Sequence, residues 1–271
     1  MIGFIYLLLW GAMLTYLLST RSGKPRLGKA ATCLALLAWV VLSTVLVHRG
    51  LEGGHWPLTN RFEFAHCYLW GLLAVYLLME ISWRERRAGP FAMIVALLIA
   101  TYLVTRPSGE RGISPLLPAL RSEWLPIHGV SATIGYAALS LSAALGLMLL
   151  LQRVPSAKTR VRPWLPSAEE IERNLERLIA LGFPWLTLSI LTGAIWAKQA
   201  WGRYWGWDPK ETWSLITWLW FLLILHLRTL QKWRGRRLAW LAVVGFGVIL
   251  FAFLGLPWLV RHIRLESLHT F

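Results

Sequence analysis

A chain of 271 residues with 56% hydrophobic and only 15% charged side chains has too little polar surface to clothe a soluble globule. Its formal net charge of +15 would suit nucleic acid if it were gathered on one face, but the 28 Lys and Arg are scattered over short segments between long apolar runs. That scatter excludes a nucleic-acid surface and reads as membrane topology.

The apolar runs lie near 2–19, 30–47, 62–82, 90–105, 128–151, 179–200, 212–230 and 238–258. Each approaches the about 20 residues a helix needs to cross a bilayer, with 90–105 the shortest. The chain therefore reads as an all-α integral membrane protein of about eight transmembrane helices. It forms a single polytopic domain, 1–271, with no room for a separate soluble domain. The first run has neither a basic segment before it nor an A-x-A-like site after it, so it reads as a retained helix rather than a signal peptide. The connections 20–29, 83–89, 152–178 and 228–237 hold 18 of the 28 Lys and Arg. The positive-inside rule puts those segments in the cytoplasm and both termini outside. The basic excess then faces anionic lipid. Cys33 and Cys67 form no CxxC pair and read as buried thiols.

Within the longest inner connection, PSAEEIERNLERL opens on a capping box formed by Ser167 and Glu170. Ile171, Leu175 and Leu178 then recur at helical spacing, which predicts an amphipathic helix at the inner surface feeding the sixth span. Ser189, Gly193 and Ala197 on the sixth span, with Ser131, Gly135, Ser142 and Gly146 on the fifth, mark close helix packing. Helices five and six are thus expected to carry a site between them. Three outer loops, 48–61, 106–127 and the segment after Trp201, are too rich in Gly, Pro and aromatics to be simple tight turns.

The third of these loops carries the strongest signal. WGRYWGWDPKETW runs from Trp201 to Trp213 and includes Trp205, Trp207 and Asp208, the only aspartate in the chain. Seven of the 18 tryptophans fall between Trp196 and Trp220, whereas an interfacial belt would spread them over both faces. Extended π-faces at one end of a bundle suit a flat aromatic ligand, for which porphyrin is the natural candidate. Asp208, Pro209 and Glu211 also fit a helix start, with Asp at the N-cap, Pro first and Glu third; the two readings are compatible. Lys210 and Arg203 are suited to meet porphyrin propionates, as any outer basic residue would be.

Histidine is the residue type that could supply iron ligands to such a ring. His48, His55, His66, His128, His262 and His269 fall in the outer half by this topology, and His226 alone lies toward the inner side, about 25 Å along the seventh helix. A histidine within a span is either hydrogen-bonded core or a functional group. As an axial ligand, His226 would need its mate from a partner subunit or a second copy, because no other histidine reaches its depth. His128 opens the fifth helix and His269 sits in the tail, so the two could clamp an iron beside the tryptophan loop, or be solvated interface residues. His48, His55, His66 and His262 read as interface or core.

WGRYWGWDPKETWSLITWL resembles the WWD signature of haem-handling membrane proteins, and in its PKETW continuation that of the CcsA (ResC) family of system II cytochrome c biogenesis proteins; CcmC and CcmF carry looser versions. PLTNRFE (57–63), SEWLPIHG (122–129), GFPWLTLSILTGAIWA (182–197), LHLR (225–228) and SLHTF (267–271) resemble family segments in family order. The resemblance covers the chain from about residue 50 onward. It implies that His128 and His269 are external haem ligands and that His226 is a transmembrane ligand whose mate belongs to a CcsB (ResB, Ccs1) partner. It implies that Trp201, Trp205, Trp207, Asp208 and Trp213 belong to a haem-binding loop spanning about 196–220, with His128, His269 and Asp208 as the catalytic set. Ser267 stands where the family has Gly.

The implied function is the haem-handling subunit of a membrane cytochrome c synthase, a haem lyase component active with its CcsB-type partner. Haem b would be the transient substrate, joined to the CxxCH cysteines of apocytochrome c. The implied location is the bacterial cytoplasmic membrane, active face outside, or the thylakoid. A haem-binding membrane chaperone or regulator that never meets apocytochrome is the alternative.

Overall fold

The computed structural model describes residues 1–113, 115–152 and 165–262. Among the described residues the fold is a helical bundle without strands. Its helices are α1 (Ile2–Ser22), α2 (Pro25–Gly53), α3 (Arg61–Trp83), α4 (Gly89–Thr105), α5 (Trp124–Gln152), α6 (Ala168–Trp201), α7 (Pro209–Thr229), α8 (Arg236–Leu250) and α9 (Leu256–His262). The first eight fall where the eight apolar runs lie. Six segments are long and apolar enough to cross a membrane: α1, α2, α3, α5, α6 and the run Arg236–Val260. At 17 residues α4 is shorter. α7 has the length, but tryptophans and the charged Lys210, Glu211 and Arg228 dilute its apolar character.

Local chemistry sets the ends. α1 stops at Gly23, whose φ of 68° permits a left-handed cap, and Pro25 starts α2 at a position where its missing N–H costs nothing. α3 opens on Asn60, whose side chain accepts from the Glu63 backbone N–H. The buried Glu63 carboxylate accepts in turn from the Thr59 N–H and hydroxyl and from Arg49, so the PLTN segment is held as a fixed corner.

Two expectations are corrected. Cys33 is an exposed thiol rather than a buried one. The segment after Ser167 is not a separate surface helix; it is the first turns of α6, a continuous helix of 34 residues. Ile171, Leu175 and Leu178 do form one face, and that face is buried in the bundle. Glu176 pairs with Arg228 at the far end of α7, and Glu172 accepts from the Gly235 N–H. These contacts tie the start of α6 to the α7–α8 turn.

Successive helices alternate in direction. Tyr6, early in α1, lies 3.2 Å from Thr101, late in α4. Late α1, early α2 and late α3 meet at a buried carboxylate, Glu80. It accepts from Tyr16 at 2.5 Å, Tyr76 at 2.8 Å, Thr32 at 2.5 Å and the Arg86 guanidinium at 2.9 Å. A buried charge so fully partnered strands four groups when it is lost. Glu80→Ala is expected to cost about 3 kcal/mol or more of stability. In a detergent thermal scan followed by tryptophan fluorescence, an unchanged unfolding temperature contradicts this.

The small residues act where expected and beyond. A Cβ on Gly135 of α5 would lie 3.0 Å from the Leu186 amide nitrogen of α6, so the two backbones touch there. In the last span, Pro257 has no N–H to donate, and its ring crowds the carbonyl one turn back. The helix answers with a π-turn at Phe251–Gly255 before α9 begins.

Candidate functional site

The starts of α3, α5 and α7 and the ends of α4, α6 and α9 converge at one end of the bundle. They enclose a chamber of about 1040 Å³, at the top of the range of small-molecule pockets. Aromatic side chains line it from several helices. Phe64 from α3, Tyr102 from α4, Tyr136 from α5 and Phe253 from the π-turn form one cluster, with Phe253 5.2 Å from Tyr102 and 6.0 Å from Phe64 between centroids. Trp196, Trp205, Tyr204 and Trp258 line it elsewhere. The π-turn is what puts Phe253 into this cluster.

His128 lines the chamber from the first turn of α5. Its Nδ1–H donates to the Ser189 carbonyl of α6 at 2.8 Å, and the Ser189 hydroxyl sits 3.2 Å from the same nitrogen. A carbonyl only accepts, so Nδ1 carries the proton and Nε2 the lone pair. That is how proteins orient a metal-ligating imidazole. The ring stacks on Trp196, 6.1 Å between centroids with planes 18° apart. Gly193 makes the room: a Cβ there would lie 2.8 Å from Nδ1. Pairing Ser189 with Gly193 on α6 thus serves the imidazole as well as helix packing.

The tryptophan loop divides its labour. Of Trp201, Trp205, Trp207 and Trp213, only Trp205 lines the chamber. Trp201 packs edge-on against Trp196 at 4.9 Å. Trp207 takes a left-handed φ of 58° and is 69% exposed, with Trp205 5.8 Å away. Trp213 donates from Nε1 to Val248 at 3.0 Å and packs on Phe251 at 4.3 Å, bracing the π-turn.

Asp208 is the N-cap of α7. Its carboxylate accepts from the Lys210 N–H at 2.9 Å, and Glu211 accepts from the Asp208 N–H at 3.1 Å and the Gly206 N–H at 2.7 Å. This is the capping box read from D-P-K-E, and it clamps the loop to the helix. Asp208→Ala is expected to cost about 1 kcal/mol, as N-cap losses do, while Asp208→Asn keeps most of it. Comparing the two in a detergent thermal scan checks the assignment; equal losses contradict it.

Arg61, Arg106 and Lys210 bring three cations to the chamber wall, with Glu110 3.7 Å from Arg106 and Glu211 engaged in the cap. The Arg106 guanidinium lies over the Tyr102 ring at 4.6 Å. Arg61 and Arg106 carry no sequence signal as a pair, because they meet only through the fold. Of the two basic residues singled out earlier, Lys210 lines the chamber and Arg203 does not.

His226 lies near the opposite end of α7, exposed on the bundle's outer surface. Ile216, Leu219, Leu222 and Leu223 are exposed on the same helix. His269 lies outside the described residues. Among the described residues no cluster of His, Cys, Asp and Glu forms a metal site. The chamber instead offers imidazoles, that of His128 held by Ser189, together with aromatic faces and basic side chains. That combination suits a flat apolar ring bearing carboxylates and a central metal.

The family model described as cytochrome C assembly protein matches residues 58–264. The cytochrome c biogenesis protein CcsA of Synechococcus elongatus is 36% identical over 278 residues, covering 86% of this chain and 85% of its own. CcsA of Pyropia yezoensis is 33% identical, covering 92% and 90%, and that of Nostoc punctiforme 32%, covering 85% and 86%. Among solved structures, the cytochrome c haem lyase CcmF superposes with a TM-score of 0.67 at 18% identity over 93% of this chain. This chain spans 45% of CcmF, and the likeness is one of fold. With its matching residues running from the corner before α3 through the tryptophan loop to α9, the chain belongs to the cytochrome c assembly family, among the CcsA cytochrome c biogenesis proteins.

Proposed function

We propose that the chain is the haem-handling subunit of a membrane cytochrome c synthase and that the chamber holds haem b for transfer to apocytochrome c. The observation that carries this is His128, an imidazole with its tautomer set by Ser189, set into an aromatic chamber with a cationic wall. His128 and His269 serve as the axial ligands. Trp205 presents a ring face, while Trp201 and Trp213 hold Trp196 and the π-turn in place. Trp207 stands exposed beside Trp205, and Asp208 acts by fixing the loop. Arg61, Arg106 and Lys210 take the propionates. The names of the relatives, cytochrome c biogenesis and haem lyase proteins, support the same reading.

When bound, haem supplies vinyl groups across which the two cysteine S–H bonds of CxxCH add, giving two thioethers with no net change of oxidation state. The chain's own residues supply position. His128 fixes the ring's height and tilt, the aromatic wall excludes water, and the cations hold the carboxylate edge so that the vinyl edge stays accessible. His226 provides a second ligand position within the membrane, completed by a histidine of a CcsB-type partner. Its exposure on α7 supports that role. The tryptophan-loop end faces outward, and the membrane is the bacterial cytoplasmic membrane or a thylakoid. The cyanobacterial and red-algal relatives suit either.

The test is coexpression with a CcsB-type partner and an apocytochrome bearing CxxCH, read by haem staining of the denatured product. Covalently haem-stained cytochrome that depends on this chain is the expected result. A folded, haem-loaded complex that yields no covalent product overturns the synthase role and leaves a haem chaperone.

A further inference from the structure

We infer that His262 is a third iron-coordinating side chain of the chamber, an alternative mate to His128 when His269 is not on the iron. The inference rests on the haem reading above and goes beyond it, since His262 had read as interface or core. It lines the same chamber as His128, at the end of α9.

Three features repeat those of His128. The Nδ1 of His262 lies 3.0 Å from the Trp258 carbonyl, to which it can only donate, so Nε2 again carries the lone pair. The ring packs on a tryptophan, Trp258, at 4.2 Å with planes 32° apart, as His128 packs on Trp196. Both tryptophans line the chamber themselves. The element that carries His262 is aimed by the π-turn and Pro257, and the π-turn is braced by Trp213 of the tryptophan loop. The loop and the second imidazole are therefore mechanically joined. An undistorted helix would rotate every residue after Gly255 about the axis and carry Trp258 and His262 to a different bearing.

The chemistry gives such a residue work to do. Attachment requires the CxxCH histidine of the incoming chain to take over one axial position. A second imidazole in the chamber would keep the iron six-coordinate after His269 leaves and until the CxxCH histidine displaces it, an exchange in which no bond beyond metal coordination would change.

The experiment uses the full chain coexpressed and purified with its CcsB-type partner, carrying His226→Ala to remove the inner ligand. It compares His269→Ala, His262→Ala and the double variant by electron paramagnetic resonance of the ferric state and optical spectra of the ferrous state. His269→Ala is expected to keep the low-spin signal of two imidazoles. The double variant is expected to become high-spin and to return to low-spin on adding imidazole, which shows that the chamber still folds and holds haem. A high-spin His269→Ala protein, or a double variant that stays bis-imidazole without added imidazole, overturns the inference. A chain with all outer histidines intact that purifies folded but without haem overturns the haem reading itself, and His262 falls with it.

Discussion

His128→Ala is expected to lower covalent cytochrome c formation by about 100-fold or more, since even an outer-shell partner of a metal ligand is typically worth 10- to 100-fold. The bundle should survive. His128 stands near the start of α5, partly exposed, and its removal breaks its bond to Ser189 and its stacking on Trp196 but leaves the close backbone packing of α5 on α6 at Gly135 in place. The loss should therefore appear in haem content and product, with little change in the detergent unfolding temperature. Added imidazole should restore part of the low-spin spectrum, because the small ligand fills the vacated position against Trp196. Wild-type haem content and wild-type product in this variant would remove His128 from the account.

Gly193→Ala separates the imidazole's position from its identity. Glycine inside a helix costs about 1 kcal/mol relative to alanine, so on propensity alone the substitution favours α6. The new methyl, however, lies 2.8 Å from His128 Nδ1 and 2.9 Å from Cε1, closer than van der Waals contact allows. The neighbour that yields is the imidazole, which has the chamber to move into, rather than the backbone. The Ser189 bond that sets the tautomer is then lost. Haem retention is expected to fall roughly 10- to 100-fold while the helix content and unfolding temperature hold. Full haem retention, or a drop in stability matching the drop in haem, would show that Gly193 serves packing alone.

The sequence made the helices legible because membrane spans are long and their signal is composition rather than subtle periodicity. The capping box at Asp208 and Glu211 was equally plain, since its spacing is local. The close pairing of α5 and α6 could be read from Gly135, Ser189 and Gly193, yet their second use, making room for His128, could not. That depends on which face of α6 meets the first turn of α5. The chamber's floor was hidden for the same reason. Phe64, Tyr102, Tyr136 and Phe253 come from four segments, and in each they look like ordinary apolar residues. The surface helix expected after Ser167 failed because an amphipathic stripe is the same whether it faces lipid headgroups or a neighbouring helix. Here burial of Ile171, Leu175 and Leu178 decides for the neighbour. His262 was passed over because a lone histidine near a helix end has no motif; a π-turn whose consequence is geometric carries it to the chamber.

A chamber that holds haem through histidine has an optical signature. The measurement is the optical spectrum of the detergent-purified complex with the CcsB-type partner, oxidised and then reduced with dithionite, in a chain carrying His226→Ala so that only the chamber can ligate haem. A sharp low-spin haem b spectrum that collapses in His128→Ala is the predicted result. A stably folded complex without haem, or one whose spectrum is indifferent to His128, would contradict it.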